Sequence, residues 1–219
     1  MKSSESTAKK FKELIMSRCS DAKERLMGAV SELIWTGSYG STTIDQICEK
    51  AGVKKGSFYY FFDSKSDLAI AALDANFKAK KAQLDSNFSP TVPPLERIRC
   101  LCDTCYQFQL EARQKYGSVL GCPLCTLGTE VSTQDEKLRA KIQEILEYHG
   151  KYVESAIRDA HAQGQIHAPD AAATARMIEA YYDGMLTQAR IKNDVEILKE
   201  VPTGVFKLLG VTEQRPLVV

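Results

Sequence analysis

The chain has 219 residues, of which 44% are hydrophobic and 26% are charged, and its net charge is +1. This composition is typical of a globular protein with a substantial core and excludes an intrinsically disordered chain. The longest uncharged run, residues 116–129, is too short to cross a bilayer, and the N-terminal residues lack the apolar stretch of a secretory signal. We therefore expect a soluble cytoplasmic protein without a membrane partner.

The charge is unevenly distributed along the chain. Residues 1–81 contain 14 Lys and Arg against 10 Asp and Glu, whereas residues 82–219 contain 15 against 18. A basic front part permits contact with a nucleic acid at that end of the chain only.

Apolar residues recur at spacings of three and four along nearly the whole chain, which predicts an all-α protein. Gly52 is placed to end the second helix in a left-handed conformation, and Ser64 with Asp67 forms a capping-box-like start of the fourth. Pro202 and Gly204 are expected to kink the last helix. The predicted helices span residues 21–35, 42–50, 54–61, 64–84, 95–112, 124–131, 135–162, 170–192 and 194–209.

The second and third predicted helices have the proportions of a helix-turn-helix motif, with residues 51–53 as the turn. On the third helix, Phe58 and Phe62 are four residues apart and are expected to face the core. The other faces carry cations and hydroxyls, which suit phosphates and base edges. The alternative is an aromatic core helix with solvated lysines. The polar set consists of Lys54, Lys55, Ser57, Tyr59 and Tyr60.

Residues 40–68, GSTTIDQICEKAGVKKGSFYYFFDSKSDL, closely resemble the DNA-binding signature of TetR-family transcriptional regulators. The Thr-Thr-Ile start, the Ala-Gly-Val turn and the Phe-Asp-Ser-Lys segment all match the family pattern. The resemblance implies an N-terminal arm and a three-helix helix-turn-helix DNA-binding domain over residues 1–66. It also implies a larger C-terminal helical domain for ligand binding and dimerisation over residues 67–219.

The resemblance implies a role for each matching position. Thr43 would bind a backbone phosphate at the start of the second helix, where the helix end carries partial positive charge. Lys55 and Tyr60 would read base edges, and Lys54 would share that task. Tyr59 would donate its hydroxyl to a phosphate.

Three further positions complete the expected DNA interface. Gly56 and Ser57 would lie against the groove. Lys65 would contact a phosphate through its amide or its side chain. Phe61 occupies a position that is often polar in the family, so one phosphate contact would be missing here.

The resemblance also implies that the C-terminal domain pairs two subunits. The last two predicted helices carry an apolar stripe that suits a four-helix bundle between the subunits of a homodimer. The alternative is that this stripe packs in the core of its own chain. The expected interface residues are Ile178, Tyr182, Met185, Ala189, Leu198 and Val205.

An effector pocket is the other feature implied for this domain. Residues 121–130 are similar to the Gly-Cys-x4-Leu-x2-Glu segment of one group of TetR-like regulators, where it begins a helix that borders the pocket. We expect a small, partly apolar effector. The candidate pocket residues are Tyr106, Phe108, Cys122, Cys125 and Tyr152.

Four of the seven cysteines form two Cys-x2-Cys pairs, Cys102 with Cys105 and Cys122 with Cys125. This spacing suits a four-thiolate zinc site, and paired thiols also suit a redox or electrophile sensor. The first pair, however, lies on an apolar helix stripe, where a cysteine behaves as a small hydrophobic residue. We therefore expect structural thiols with no bound metal and no cofactor, and no disulfide framework.

No nucleophile–base arrangement and no phosphate-binding glycine loop is evident in the sequence, so we do not expect an enzyme. The sequence predicts a repressor that binds a palindromic operator in double-stranded DNA as a homodimer and is released by a small-molecule effector. One alternative is a cysteine-based redox, electrophile or metal sensor of the same fold. Another is a helical binding protein or enzyme that has lost DNA binding.

Overall fold

The computed structural model describes residues 21–211, and the predicted N-terminal arm lies outside this range. Within it the chain forms helices and no strand, which confirms the all-α class. Helix α1 covers residues 21–36. The other helices are α2 (Ile44–Ala51), α3 (Lys55–Phe61), α4 (Lys65–Asn87), α5 (Pro94–Tyr116), α6 (Pro123–Val131), α7 (Glu136–Ala162), α8 (Ala171–Lys192) and α9 (Val201–Leu208).

The last predicted helix consists of two elements. Val195–Glu200 forms a 3-10 helix, and α9 begins directly after it. Because Pro202 has no N–H to donate, it is tolerated in the first turn of a helix and not in the interior. The prediction of one kinked helix over residues 194–209 is therefore wrong: the chain forms a 3-10 helix and then a separate α-helix. Gly204 lies inside α9, where an added Cβ would overlap the hydroxyl and ring of Tyr181.

The chain divides into two compact units. The first contains the described residues up to Asn76 together with Glu130–Lys141, and the second contains Phe77–Thr129 and the residues from Ile142 onward. No helix between residues 21 and 211 combines the length and the apolarity needed to span a membrane.

The core of the first unit is formed by the apolar faces of its helices. These faces follow the three- and four-residue spacing of the sequence, so one side of each helix is buried. Ser64 and Asp67 begin α4 as predicted, with the Asp67 N–H donating to the Ser64 hydroxyl at 3.1 Å. The largest fully buried side chains here are Phe58, Leu26, Ile47, Leu68 and Leu138.

The short helices α2 and α3 are fixed by their ends and by α1. Thr43 caps α2 through a capping box with Gln46. Gly52 ends α2 at φ 63°, in the left-handed region that favours glycine. The Arg25 guanidinium of α1 donates to the carbonyl of Ala51 at 3.0 Å. The turn between the two helices is thus held in one conformation.

The second unit has one core, to which α5, α7, α8, α9 and the 3-10 helix contribute. A charged residue, Arg97, is buried in it and is only 2% exposed. Its guanidinium lies 2.6 Å from the Asp159 carboxylate and donates to the carbonyl of Val92 at 2.7 Å. This ion pair joins α5 to α7.

The buried Gln109 fixes the loop between α5 and α6. Its amide donates to the carbonyl of Gly121 at 3.0 Å, and its oxygen accepts the N–H groups of Leu120 and Gly121 at 3.2 and 2.9 Å. Arg190 of α8 donates to the carbonyl of Leu120 at 2.8 Å. Four hydrogen bonds therefore hold the segment that leads into Cys122.

Candidate functional site

Helix α3 exposes one face that is rich in tyrosine hydroxyls. Tyr59 is 53% exposed and Tyr60 is 74% exposed, whereas Phe58 and Phe62 are buried. The prediction for the two phenylalanines is confirmed. Large aromatic side chains are usually covered in a folded protein, so two adjacent exposed tyrosines indicate a contact surface.

Two lysines flank this face at the start of α3. Lys54 is the N-cap residue and Lys55 opens the helix, and both are exposed. The Lys55 ammonium lies 2.8 Å from the Asp45 carboxylate of α2, and its hydrogen bond to Asp45 raises the pKa of Lys55. A Cβ at Gly56 would meet nothing within 4 Å, so the interior of the unit does not require glycine there.

Thr43 has a structural task at the start of α2. Its hydroxyl accepts the N–H of Gln46 at 3.2 Å, and the Gln46 side chain accepts the N–H of Thr43 at 2.8 Å. The residue is exposed, so its predicted contact with a phosphate is compatible with this cap.

The side chain of Lys65 is turned toward its own chain. Its ammonium donates to the carbonyls of Tyr39 and Thr42 at 2.7 and 2.8 Å and lies 4.1 Å from the centroid of the Tyr39 ring. Burial lowers the pKa of Lys65. The ammonium is thus engaged within its own chain, and the main-chain amide of Lys65 lies at the start of α4.

A carboxylate that the sequence analysis did not single out holds the turn before α2. Glu130 accepts the N–H groups of Tyr39 and Gly40 at 2.9 and 2.6 Å, and Asp135 accepts the Tyr39 hydroxyl at 3.3 Å. Burial and the charge of Asp135 raise the pKa of Tyr39 to about 12. The Gly-Cys-x4-Leu-x2-Glu pattern contains Glu130, but no local signal links it to a turn that comes much earlier in the sequence.

The candidate pocket residues have different neighbours. Tyr106 is buried in the core of the second unit. The Phe108 ring lies 4.5 Å from the Lys80 ammonium. Tyr152 donates its hydroxyl to Asp85 and packs in the same core.

The two Cys-x2-Cys pairs also differ in their surroundings. Cys102 and Cys105 are buried in the core, and burial raises the pKa of Cys105 to about 12. Cys122 and Cys125 are only partly buried, and their Sγ atoms and a carboxylate oxygen of Asp183 all lie within 4.8 Å of one another. Among the described residues this is the single such group of three or more His, Cys, Asp or Glu side chains, so the four thiols do not form one site.

Side-chain hydrogen bonds link Cys125 to Cys122 and to Asp183. The hydrogen bond between the two side chains lowers the pKa of Cys122 and raises the pKa of Cys125. Burial raises the pKa of Asp183. Lys80 interacts electrostatically with Cys122. Asp183 is on α8, far from the cysteines in sequence, and nothing local predicts that it meets them.

The predicted dimer interface needs correction. Ile178, Ala189, Leu198 and Val205 are almost completely buried within the single chain, because their stripe faces the core of the second unit. They cannot also face a second subunit. Tyr182 and Met185 are partly buried against that core. The exposed stripe of α8 is formed by Met177, Ala180, Gly184, Gln188 and Ile191.

Two family models match the chain. The model described as "Tetracyclin repressor-like, C-terminal domain" matches residues 94–205, and the one described as "Bacterial regulatory proteins, tetR family" matches residues 26–72. The second match contains α2 and α3 with their exposed tyrosines.

Known proteins are similar over much of the chain. Transcriptional regulator AcuR of Cereibacter sphaeroides is 29% identical over 78% of this chain and 77% of AcuR. An HTH-type regulator in the lacX 3' region of Lactococcus lactis is 30% identical over 57% of this chain, and the match spans 62% of that relative, less than two thirds of its length. The crystal structure of regulatory protein TetR from Rhodobacter sphaeroides has a TM-score of 0.74 at 26% identity and covers 85% of this chain and 98% of its own.

Proposed function

The chain belongs to the TetR family of bacterial regulatory proteins, and we propose that it is a cytoplasmic repressor that binds a near-palindromic DNA operator as a homodimer. A small-molecule effector releases it from the operator. The observation that carries this proposal is the exposure of Tyr59 and Tyr60 on a short helix whose opposite face is buried.

Helix α3 is the element that enters the major groove. Tyr60 and Lys55 reach base edges, while Tyr59 contacts a phosphate. Lys54, which the resemblance implies as a further base contact, is assigned to a phosphate here, because it is the N-cap residue and precedes the helix. Two further phosphate contacts come from Thr43 at the N-terminus of α2 and from the main-chain amide of Lys65 at the N-terminus of α4. The first N–H groups of a helix attract phosphate. Gly56 and Ser57 lie against the groove, where the absence of a side chain on Gly56 permits close approach.

The proposed dimer uses the exposed stripe of α8. Met177 and Ile191 are large apolar residues on this stripe, and Ile191 is 77% exposed. Between them Ala180 and Gly184 are small and exposed, which lets a second helix approach closely. Two-fold symmetry then presents one α3 to each half-site of the operator.

The effector acts on the second unit. A ligand that binds one conformer better than another shifts the population toward it, and a coupling of about 1–3 kcal/mol corresponds to a change of about 5–150-fold in operator affinity. The candidate pocket residues Phe108, Cys122 and Cys125 are only partly buried and accessible to such a molecule, whereas Tyr106 is reached only if the core opens.

The DNA interface is tested by selecting binding sites from a random DNA pool and measuring affinity against salt. Lys54→Ala should weaken binding on all sequences and reduce the magnitude of the logarithmic salt slope by about 1, because one phosphate contact is lost. Tyr60→Ala should change the preferred sequence and cost about 1–3 kcal/mol on the selected site.

Lys151→Ala is the matched control, because Lys151 is an exposed lysine on α7 in the second unit. It should leave both the slope and the preferred sequence unchanged. Equal effects of the Lys54 and Lys151 substitutions would contradict the assignment of α3 to DNA.

The dimer surface is tested with Ile191→Asp. A carboxylate buried between two subunits loses its hydration, so the dissociation constant of the dimer should rise about tenfold or more relative to the unaltered chain. Light scattering measures the mass, and Lys192→Asp, at the exposed neighbouring position, is the control. Dimers of unchanged stability in the Ile191 variant would place the interface elsewhere.

A further inference from the structure

The cluster of Cys122, Cys125 and Asp183 is built from two elements that meet in the second unit. Cys122 immediately precedes α6, Cys125 lies in the first turn of α6, and Asp183 lies on α8. The N–H of Cys125 donates to the Sγ of Cys122 at 3.5 Å. The Sγ atoms of Cys122 and Cys125 and a carboxylate oxygen of Asp183 all lie within 4.8 Å of one another.

The scaffold around these three side chains is fixed. Gly121, just before Cys122, has φ 70°. Its carbonyl accepts a hydrogen bond from the Gln109 amide, and its N–H and that of Leu120 both donate to the Gln109 side-chain oxygen. Arg190, two turns along α8 from Asp183, donates to Thr126 of α6 at 2.9 Å and so ties the two helices together. A site supported in this way keeps its donor atoms in place before a ligand binds.

The donor set selects a class of ligand. Thiolates prefer thiophilic cations such as Zn²⁺ and Cd²⁺, whereas Mg²⁺ and Ca²⁺ require oxygen donors. Zinc binds sulfur at about 2.3 Å and carboxylate oxygen at about 2.0–2.2 Å, so donor atoms within 4.8 Å of one another can share one ion after small side-chain rotations that draw them closer. Three ionised ligands would otherwise place three negative charges together, and a divalent cation compensates most of that charge.

We propose that Cys122, Cys125 and Asp183 form a binding site for a thiophilic divalent cation, with a fourth position open to water or to another ligand. All three residues are partly exposed. Cys102 and Cys105 stay outside this site as core residues. That the ion alters operator binding is a further part of the proposal, and that part rests on the proposed function.

The binding step is tested without DNA on the full, reduced chain after treatment with a chelator. Titration with Cd²⁺ should give thiolate-to-metal charge-transfer absorption that saturates at one ion per chain. Cys122→Ser and Cys125→Ser should each abolish or strongly reduce this absorption. Asp183→Asn should keep the absorption and weaken binding about tenfold or more, a loss already typical of removing an outer-shell partner of a metal ligand.

Cys100→Ser is the matched control, because Cys100 is a partly exposed cysteine of α5 outside the cluster. It should bind Cd²⁺ as the unaltered chain does. Circular dichroism shows whether each variant is folded, and the Asp183 variant decides the outcome if a cysteine variant does not fold. Absence of charge-transfer absorption in the unaltered chain, or its full retention in both cysteine variants, overturns the site.

The regulatory step is then measured by titrating the selected operator with metal-free and Zn²⁺-loaded protein. A change in operator affinity that Cys122→Ser removes supports the ion as an effector. One bound ion with equal operator affinities in both states overturns the regulatory part alone. Failure to bind any selected DNA in either state refutes the proposed function and leaves the metal titration as an independent result.

Discussion

Asp159→Ala is expected to lower the free energy of unfolding by about 3–5 kcal/mol. The substitution leaves the Arg97 guanidinium, which is 2% exposed, buried without its counter-charge. The remaining hydrogen bond to the carbonyl of Val92 does not neutralise it. Because Asp159 itself is 38% exposed, water can reach the vacated position, and the lower end of this range is the expected value. Denaturant unfolding followed by circular dichroism measures the loss.

Two further variants separate the buried charge from other effects of the substitution. Glu154→Ala on the same helix removes the partner of the exposed Arg158 and should cost no more than about 1 kcal/mol. The double replacement Arg97→Met with Asp159→Leu removes both charges and should recover most of the stability lost in Asp159→Ala. A double variant as unstable as the single one would show that the charge is not the cause.

Gln109→Leu is the second substitution with a large expected effect, a loss of about 3–5 kcal/mol in the free energy of unfolding. Leucine has a similar size but removes the hydrogen bonds that Gln109 makes to two N–H groups and one carbonyl of the loop. Each hydrogen bond lost by a buried group costs about 1–3 kcal/mol, and the other contacts of the loop, including that of Arg190 with Leu120, limit the total.

Gln109→Glu distinguishes these hydrogen bonds from simple packing. Protonated glutamate still accepts the two N–H groups and donates to the carbonyl of Gly121, so at acidic pH the variant should be more stable than Gln109→Leu. At higher pH the buried position holds an ionised carboxylate without a counter-charge, so its stability relative to Gln109→Leu should fall as the pH rises. The same loop precedes Cys122, and Gln109→Leu should therefore also weaken Cd²⁺ binding. Equal stability of the leucine variant and the unaltered chain would contradict the role given to this amide.

The sequence is sufficient to predict the helix-turn-helix segment and most helices; the exception is the last predicted helix, which is a 3-10 helix followed by α9. Periodicity identified the buried faces, and local chemistry identified the ends, as Gly52 and the Ser64–Asp67 start of α4 show. These signals are local, because a helix is defined by residues three and four apart. The N-terminal match of residues 26–72 to a family model agrees with the segment on which the resemblance rested.

The sequence was insufficient where distant residues meet. In the sequence, the apolar stripe of the last helices favours a subunit interface, but periodicity cannot tell whether a stripe is covered by its own chain or by a second copy. Ile178 and Val205 turned out to be core residues. Likewise, the pairing of Glu130 with Tyr39, and of Asp183 with two cysteines, depends on tertiary structure that no short pattern contains.

The ion pair between Lys55 and Asp45 has a consequence for how the proposed DNA complex would distinguish sequences. In the proposed complex, Lys55 exchanges the Asp45 carboxylate for a base acceptor. Both side chains are exposed, so breaking their ion pair costs no more than about 1 kcal/mol. On a duplex without a well-placed acceptor the ammonium would stay on Asp45. Lys55 would therefore contribute to the choice between sequences more than to binding of DNA in general.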